Sequence, residues 1–140
     1  METVTVSRRV AAPPERVREA IRDVEAFMEG AGFTEVSVSG DEVHLENAVG
    51  LATVELDVRV VDRPDAALAC ELVEGFFETL TTVYRVEAVD GESEVTATTE
   101  FELDLALVGE ILDGTVVKRQ RRRELESQLD WLADRFDGDG

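Results

Sequence analysis

Apolar and polar residues alternate from Thr3 to Val10. Val4, Val6 and Val10 fall on one face and Thr3, Thr5, Ser7 and Arg9 on the other, the period of a half-buried strand. Pro13-Pro14-Glu15 then opens a helix, with prolines where the first turn needs no donor and Glu15 beside the positive end of the dipole. Val17, Ala20, Ile21 and Val24 form its apolar side. The pattern predicts a second short helix from Val24 to Glu29, ended by Gly30 and Gly32, that places Phe27 and Met28 at one end of the interior.

From Thr34 the period becomes two. Val36 and Val38 lead through a Gly40-Asp41 turn to Val43 and Leu45, which alternate with Glu42, His44 and Glu46. Ala48-Val49-Gly50 turns the chain into Val54, Leu56, Val58 and Val60, which alternate with Thr53, Glu55, Asp57 and Arg59. After Asp62-Arg63-Pro64-Asp65, a turn by composition, the expected inner rows are Leu68, Cys70 and Leu72, then Leu80, Thr82, Tyr84, Val86 and Ala88. An Asp90-Gly91 hairpin leads to Val95, Ala97, Thr99, Phe101 and Leu103, with Thr96, Thr98, Glu100 and Glu102 facing water. Glu74-Gly75-Phe76-Phe77-Glu78 reads as a loop in which one aromatic gates a pocket or both anchor the core.

The last predicted helix runs from about Leu105 to Phe136. At about 100° per residue, Leu107, Ile111, Leu125, Leu129, Leu132, Ala133 and Phe136 share one stripe. The run Lys118-Arg119-Gln120-Arg121-Arg122-Arg123 interrupts it. On that wheel Lys118 and Arg122 lie within the stripe, and Arg119 and Arg121 lie on its shoulders. Charges on the solvent side of every strand leave only one sheet face to be covered. The predicted architecture is α+β: a curved antiparallel sheet of about six or seven strands wrapped around the long C-terminal helix, with two short helices after strand 1. The domain is expected to span 1–136, with 137–140 as a frayed tail.

Charge alters this picture more than any other bulk property. The chain carries 32 acidic and 14 basic residues, net −18, and Lys118 is its only lysine. At about 1 M salt the screening length falls to about 3 Å, which relieves the self-repulsion of such a surface. The surface therefore reads as adapted to a salt-rich cytoplasm, as in extreme halophiles. Nucleic acid is an unsuited partner, since phosphate binding needs a basic face. No run of about 18 apolar residues is present. One cysteine, Cys70, and one histidine, His44, exclude an intramolecular disulfide and a Cys/His zinc cluster within the chain. No metal or cofactor is expected.

Strand, helix pair, antiparallel strands and long C-terminal helix together resemble the helix-grip fold of the START / polyketide cyclase (SRPBCC) superfamily. The resemblance rests on the opening strand followed by Ala11-Ala12-Pro13-Pro14-Glu15-Arg16-Val17, and on the closing Arg123-Glu124-Leu125-Glu126-Ser127-Gln128-Leu129 helix after Val95 to Leu103. The tryptophan-and-proline element usual after the first helix is replaced here by Val24 to Met28. The resemblance implies a deep apolar cavity between sheet and helix that holds lipids, polyketides or other hydrophobic molecules.

Asn47, Thr82, Tyr84 and Thr99 are the polar members of the inward rows, and buried polar groups must find partners. Each either bonds neighbouring backbone or faces a ligand. The expected ligand-binding set is Tyr84, Arg122, Thr82, Thr99, Phe77, Lys118 and Met28. For Lys118 and Arg122 three arrangements are open: stems that cover apolar surface with heads in water, an anionic ligand group at the cavity mouth, or an ion pair with Glu71 or Glu100. Arg119 and Arg123 serve as solvent-side partners for carboxylates. His44 belongs to the outer face, and Cys70 reads as inert packing. No catalytic residue is assigned. A cyclase- or dehydratase-type enzyme using Tyr84 and Arg122 is the alternative to a binding domain. A third reading is a protein-interaction module, or a weak homodimer, through the Trp131 side together with Val117.

The charge balance carries the first test. Thermal stability is expected to rise substantially between 0.1 M and 2 M KCl. A melting temperature that stays flat across that range would remove the case for halophilic adaptation.

Overall fold

The computed structural model describes residues 1–49, 52–75, 77–103 and 114–137. Its elements are β1 (Glu2–Val10), α1 (Pro14–Arg22), α2 (Val24–Glu29), β2 (Glu35–Ser39), β3 (Glu42–Val49), β4 (Ala52–Val61), β5 (Leu68–Gly75), β6 (Phe77–Val89), β7 (Glu92–Leu103) and α3 (Gly114–Asp137). The seven strands form one antiparallel sheet in the order β1-β7-β6-β5-β4-β3-β2. Each strand after β2 pairs with its predecessor, and β1 closes against the last strand, in register from Glu2 opposite Phe101 to Val10 opposite Ser93. Register shifts between Asp57 and Val58 on β4 and between Phe77 and Thr79 on β6 add the local twist that bends a sheet. The curved sheet grips α3, as the alternation predicts.

Alternation sorts the faces. Leu56, Val58, Val95, Ala97 and Phe101 are buried, Val54, Val60 and Leu103 are half-buried, and Glu55, Arg59, Glu100 and Glu102 are exposed, while Asp57, Thr96 and Thr98, expected to face water, are half-buried. Pro14 occupies the first turn of α1, and Val17, Ala20 and Ile21 are its buried face. The Asp90-Gly91 hairpin takes positive φ at both residues, 51° and 81°, the conformation a tight two-residue turn requires. Ala88 departs from its expected inner row and is exposed. β5 runs to Gly75 and β6 starts at Phe77, so the stretch read as a loop is mostly strand. Among the described residues, no helix is long and apolar enough to cross a membrane.

Leu125, Leu129, Leu132, Ala133 and Phe136 are buried as expected. Leu107 and Ile111, which helped to set the predicted phase, lie outside the described residues. At the N-terminal half of α3 the buried positions are Val117, Arg121, Glu124 and Gln128, each three or four residues from the next. Lys118 and Arg122 are exposed instead. Lys118 Nζ lies 3.2 Å from Glu2 Oε2 at the start of β1, so this flank of the helix looks past the edge of the sheet. Neither side chain enters the interior, Glu71 pairs with Arg63, and of the three arrangements left open the internal ion pair with Glu71 or Glu100 is not seen among the described residues.

Trp131 is half-buried against the end of α2, with its ring centroid 6.2 Å from that of Phe27. Val117 is 3% exposed, so the expected surface patch of Val117 and Trp131 is absent. The close approach rests on Gly30, where an added Cβ would stand 2.8 Å from Trp131 Cγ. Ser127 Oγ donates to Gly30 O at 2.8 Å, which fixes the same helix–helix contact. Gly30→Ala is therefore expected to cost about 1–3 kcal/mol by overpacking and to shift tryptophan emission. Unchanged stability and emission would mean that α2 and α3 are not seated this way.

Candidate functional site

Polar side chains converge inside the grip, along the buried N-terminal face of α3. Arg121 and Glu124 stand three residues apart and pair through Arg121 Nη1 and Glu124 Oε1 at 2.5 Å. Asn47 on β3 donates from Nδ2 to Glu124 Oε2 at 2.8 Å, and Gln120 Nε2 donates to the same oxygen at 3.3 Å. Arg121 Nη2 donates to Thr82 Oγ1 at 3.1 Å and to Thr99 Oγ1 at 3.2 Å. These two threonines face each other across β6 and β7, with their hydroxyls 3.0 Å apart. One turn further along α3, Gln128 Oε1 accepts from Tyr84 Oη at 2.6 Å while its Nε2 donates to Phe27 O at 3.1 Å. Buried charge survives here because nearly every group is paired.

Two small cavities adjoin this network. The outer one, about 30 Å³, is lined by Val54, Phe77, Val117 and Gln120, with Asn47 and Glu124 on its polar side. The deeper one, about 20 Å³, is lined by Met28, Cys70, Leu80, Thr82, Tyr84 and Gln128. Phe33, Leu45, Leu56 and Arg121 border both. Each has room for about one water. The deep cavity expected from the family resemblance is thus nearly closed in this state, because Arg121 and its partners occupy the space between sheet and helix.

Burial sets the chemistry of Cys70 and Tyr84, which line the deeper cavity. It pushes the Cys70 thiol up to about 12, against the opposing pull of Arg121, so Cys70 is inert packing at neutral pH. Burial likewise raises Tyr84, with Arg121 and the Gln128 hydrogen bond opposing. Tyr84 therefore stays protonated and acts as a hydrogen-bond donor. His44 lies on the outer face, as its alternation predicts. Its Nδ1–H donates to Asp57 Oδ1 at 2.7 Å, and that bond is the main reason its pKa is raised. Nε2 faces Glu46 and Glu55 at 3.9 and 4.0 Å. The acidic surface thus surrounds the imidazole on the far side of the sheet from the cavities.

Of the expected binding residues, Tyr84, Thr82, Thr99, Phe77 and Met28 are brought to the interior. Phe77 packs edge-on to Phe101 at 5.4 Å. Arg122 and Lys118 are not brought there. Arg121, placed on a shoulder of the predicted stripe, takes the position expected of Arg122, and Glu124 and Gln128 complete the polar seam. The signal was present in the spacing Val117, Arg121, Glu124, Gln128. The stripe through Leu125, Leu129, Leu132 and Phe136 hid it, because the buried polar positions lie to one side of that stripe.

A family model described as polyketide cyclase / dehydrase and lipid transport matches residues 1–137, and the chain belongs to that family. Solved structures with the same fold include a protein of Thermus thermophilus, at TM-score 0.77 and 20% identity over 99% of both chains. A START superfamily protein of Mycobacterium smegmatis gives TM-score 0.73 and 16% identity over 99% of both chains. The Zhui aromatase/cyclase of Streptomyces sp. R1128 gives TM-score 0.73 and 19% identity over 94% of this chain and 93% of that one. Among curated proteins none matches.

The ion pair makes a measurable demand. Arg121→Met leaves the Glu124 carboxylate buried without its cation and is expected to cost about 3–5 kcal/mol in denaturant unfolding. Glu124→Gln strands the guanidinium and also destabilises. Combining the two should recover at least half of the summed loss, because no uncompensated charge then remains. Strictly additive effects would show that the two groups are not coupled.

Proposed function

We propose that this protein binds a small hydrophobic molecule between the sheet and α3. The observation that carries the reading is the pair of adjoining cavities, walled largely by Phe33, Leu45, Leu56, Val58 and Leu80. They lie where apolar walls stop short of one another beneath a long helix. Family membership supports the same reading, since its description includes lipid transport.

Ligand pockets usually enclose about 300–1,000 Å³, far more than the cavities found here. An occupant larger than water must therefore displace side chains. Phe33 is the first candidate, because it is half-buried, borders both cavities and follows Gly32 at φ 90°. Displacing it would merge the two spaces and open them towards the half-buried rim of Val54 and Gln120. The protonated Tyr84 and the paired Glu124 favour holding a molecule over exchanging protons with it. The acidic surface supports a salt-rich cytoplasm as the setting.

Titration with the uncharged fluorophore N-phenyl-1-naphthylamine in 2 M KCl tests the reading. Saturable binding of one probe per chain is expected. Val54→Trp, which fills the rim of the outer cavity, should weaken it by about tenfold or more, roughly 1.4 kcal/mol, with little loss of stability. Non-saturable binding, or affinity indifferent to Val54→Trp, would contradict an interior site.

A further inference from the structure

Arg121 is 8% exposed, and its Nε is buried without any hydrogen-bond partner. Three of the five N–H groups of a guanidinium are engaged here, one by Glu124 and two by the threonine pair. Thr82 and Thr99 share one hydrogen bond between them, which leaves one hydroxyl proton unspent among the described residues. The polar seam therefore has donors left over beside the deeper cavity, which both Thr82 and Arg121 line. An orphaned buried donor is destabilising, a cost that an incoming acceptor would remove.

The charge of that acceptor is constrained as well. Glu124 already neutralises Arg121 in the interior. A carboxylate brought alongside would leave one uncompensated negative charge buried, inside a chain of net charge −18. A neutral carbonyl oxygen meets the Nε–H without that penalty. We infer that the occupant presents an uncharged carbonyl oxygen, such as that of a ketone or ester, to Arg121 Nε–H beside Thr82. The anionic ligand group, one of the three arrangements open for the basic run, does not fit this position. This inference rests on the interior binding site proposed above and specifies what that site selects.

Three probes of equal chain length decide it: 2-nonanone, nonanoic acid and nonane, titrated against the intact protein at pH 7.5 in 2 M KCl. The ketone is expected to bind at least about tenfold more tightly than the alkane, the gain from one hydrogen bond to a charged donor, and more tightly than the ionised acid. The infrared carbonyl stretch of the bound ketone should fall below its position in alkane solvent. In the charge-neutral double variant Arg121→Met, Glu124→Gln, the ratio of ketone to alkane affinity, read within that variant, should fall to about one. Equal affinity for ketone and alkane, an unshifted carbonyl stretch, or tightest binding of the acid overturns the carbonyl assignment and leaves the interior site standing. Failure of all three probes and of the fluorophore overturns both.

Discussion

The buried pair of Arg121 and Glu124 is the constraint around which the interior is arranged. Two charges under a sheet are tolerable only if they are paired and most of the polar atoms nearby are engaged. That demand reaches three strands: Asn47 on β3, Thr82 on β6 and Thr99 on β7 all point their polar atoms at α3. It also fixes the rotation of the helix, because turning it by one residue would put Arg122 inside and leave Glu124 unpaired. The apolar residues Leu125, Leu129 and Leu132 hold the helix down, but the ion pair determines which side of its N-terminal half faces in. What remains of the cavity is the space that this network does not fill.

The fold was largely legible from the chain because its signals are local. The period-two runs from Val43 to Leu103 sort inside from outside, and Pro14 and Gly30 mark where α1 starts and α2 ends. The candidate site was only half legible. Thr82, Tyr84 and Thr99 were found because a polar residue in an inward row of a strand stands out. Arg121 was passed over because the buried polar positions lie to one side of the stripe through Leu125, Leu129, Leu132 and Phe136. Burial of a guanidinium is also set by partners distant in sequence, here 39 positions away at Thr82 and 22 at Thr99. No local pattern carries that information. Glu124 and Gln128 were hidden for the same reason, since polar residues on a charged helix look like its solvent face.

Two electrostatic regimes coexist in the molecule. Outside, carboxylates such as Glu42, Glu55 and Asp57 surround scarce cations, and those interactions weaken as salt screens them. Inside, Arg121 and Glu124 are shielded by the sheet and helix, and salt hardly reaches them. Ionic strength can therefore relieve the repulsion of the acidic shell without loosening the interior network. The proposed recognition beneath α3 is separated in this way from the charge of the surface.

The pairing of β1 with β7 has a consequence for how the chain is made. The hydroxyls of Ser7 and Thr96, adjacent across those strands, belong to residues 89 positions apart. A ribosome delivers β1 well before its partner, so this strand waits unpaired until β7 has emerged. The meander from β2 to β7 can assemble hairpin by hairpin, each loop closing over a few residues. Closure of the first strand must follow the emergence of β7, and docking of α3 the emergence of that helix. Such long-range pairing slows folding, and in the interval the apolar row Val4, Val6 and Val10 is open to other chains. Arg8 and Arg9, beside that row, place charge on the waiting strand, a common protection against association through an exposed edge.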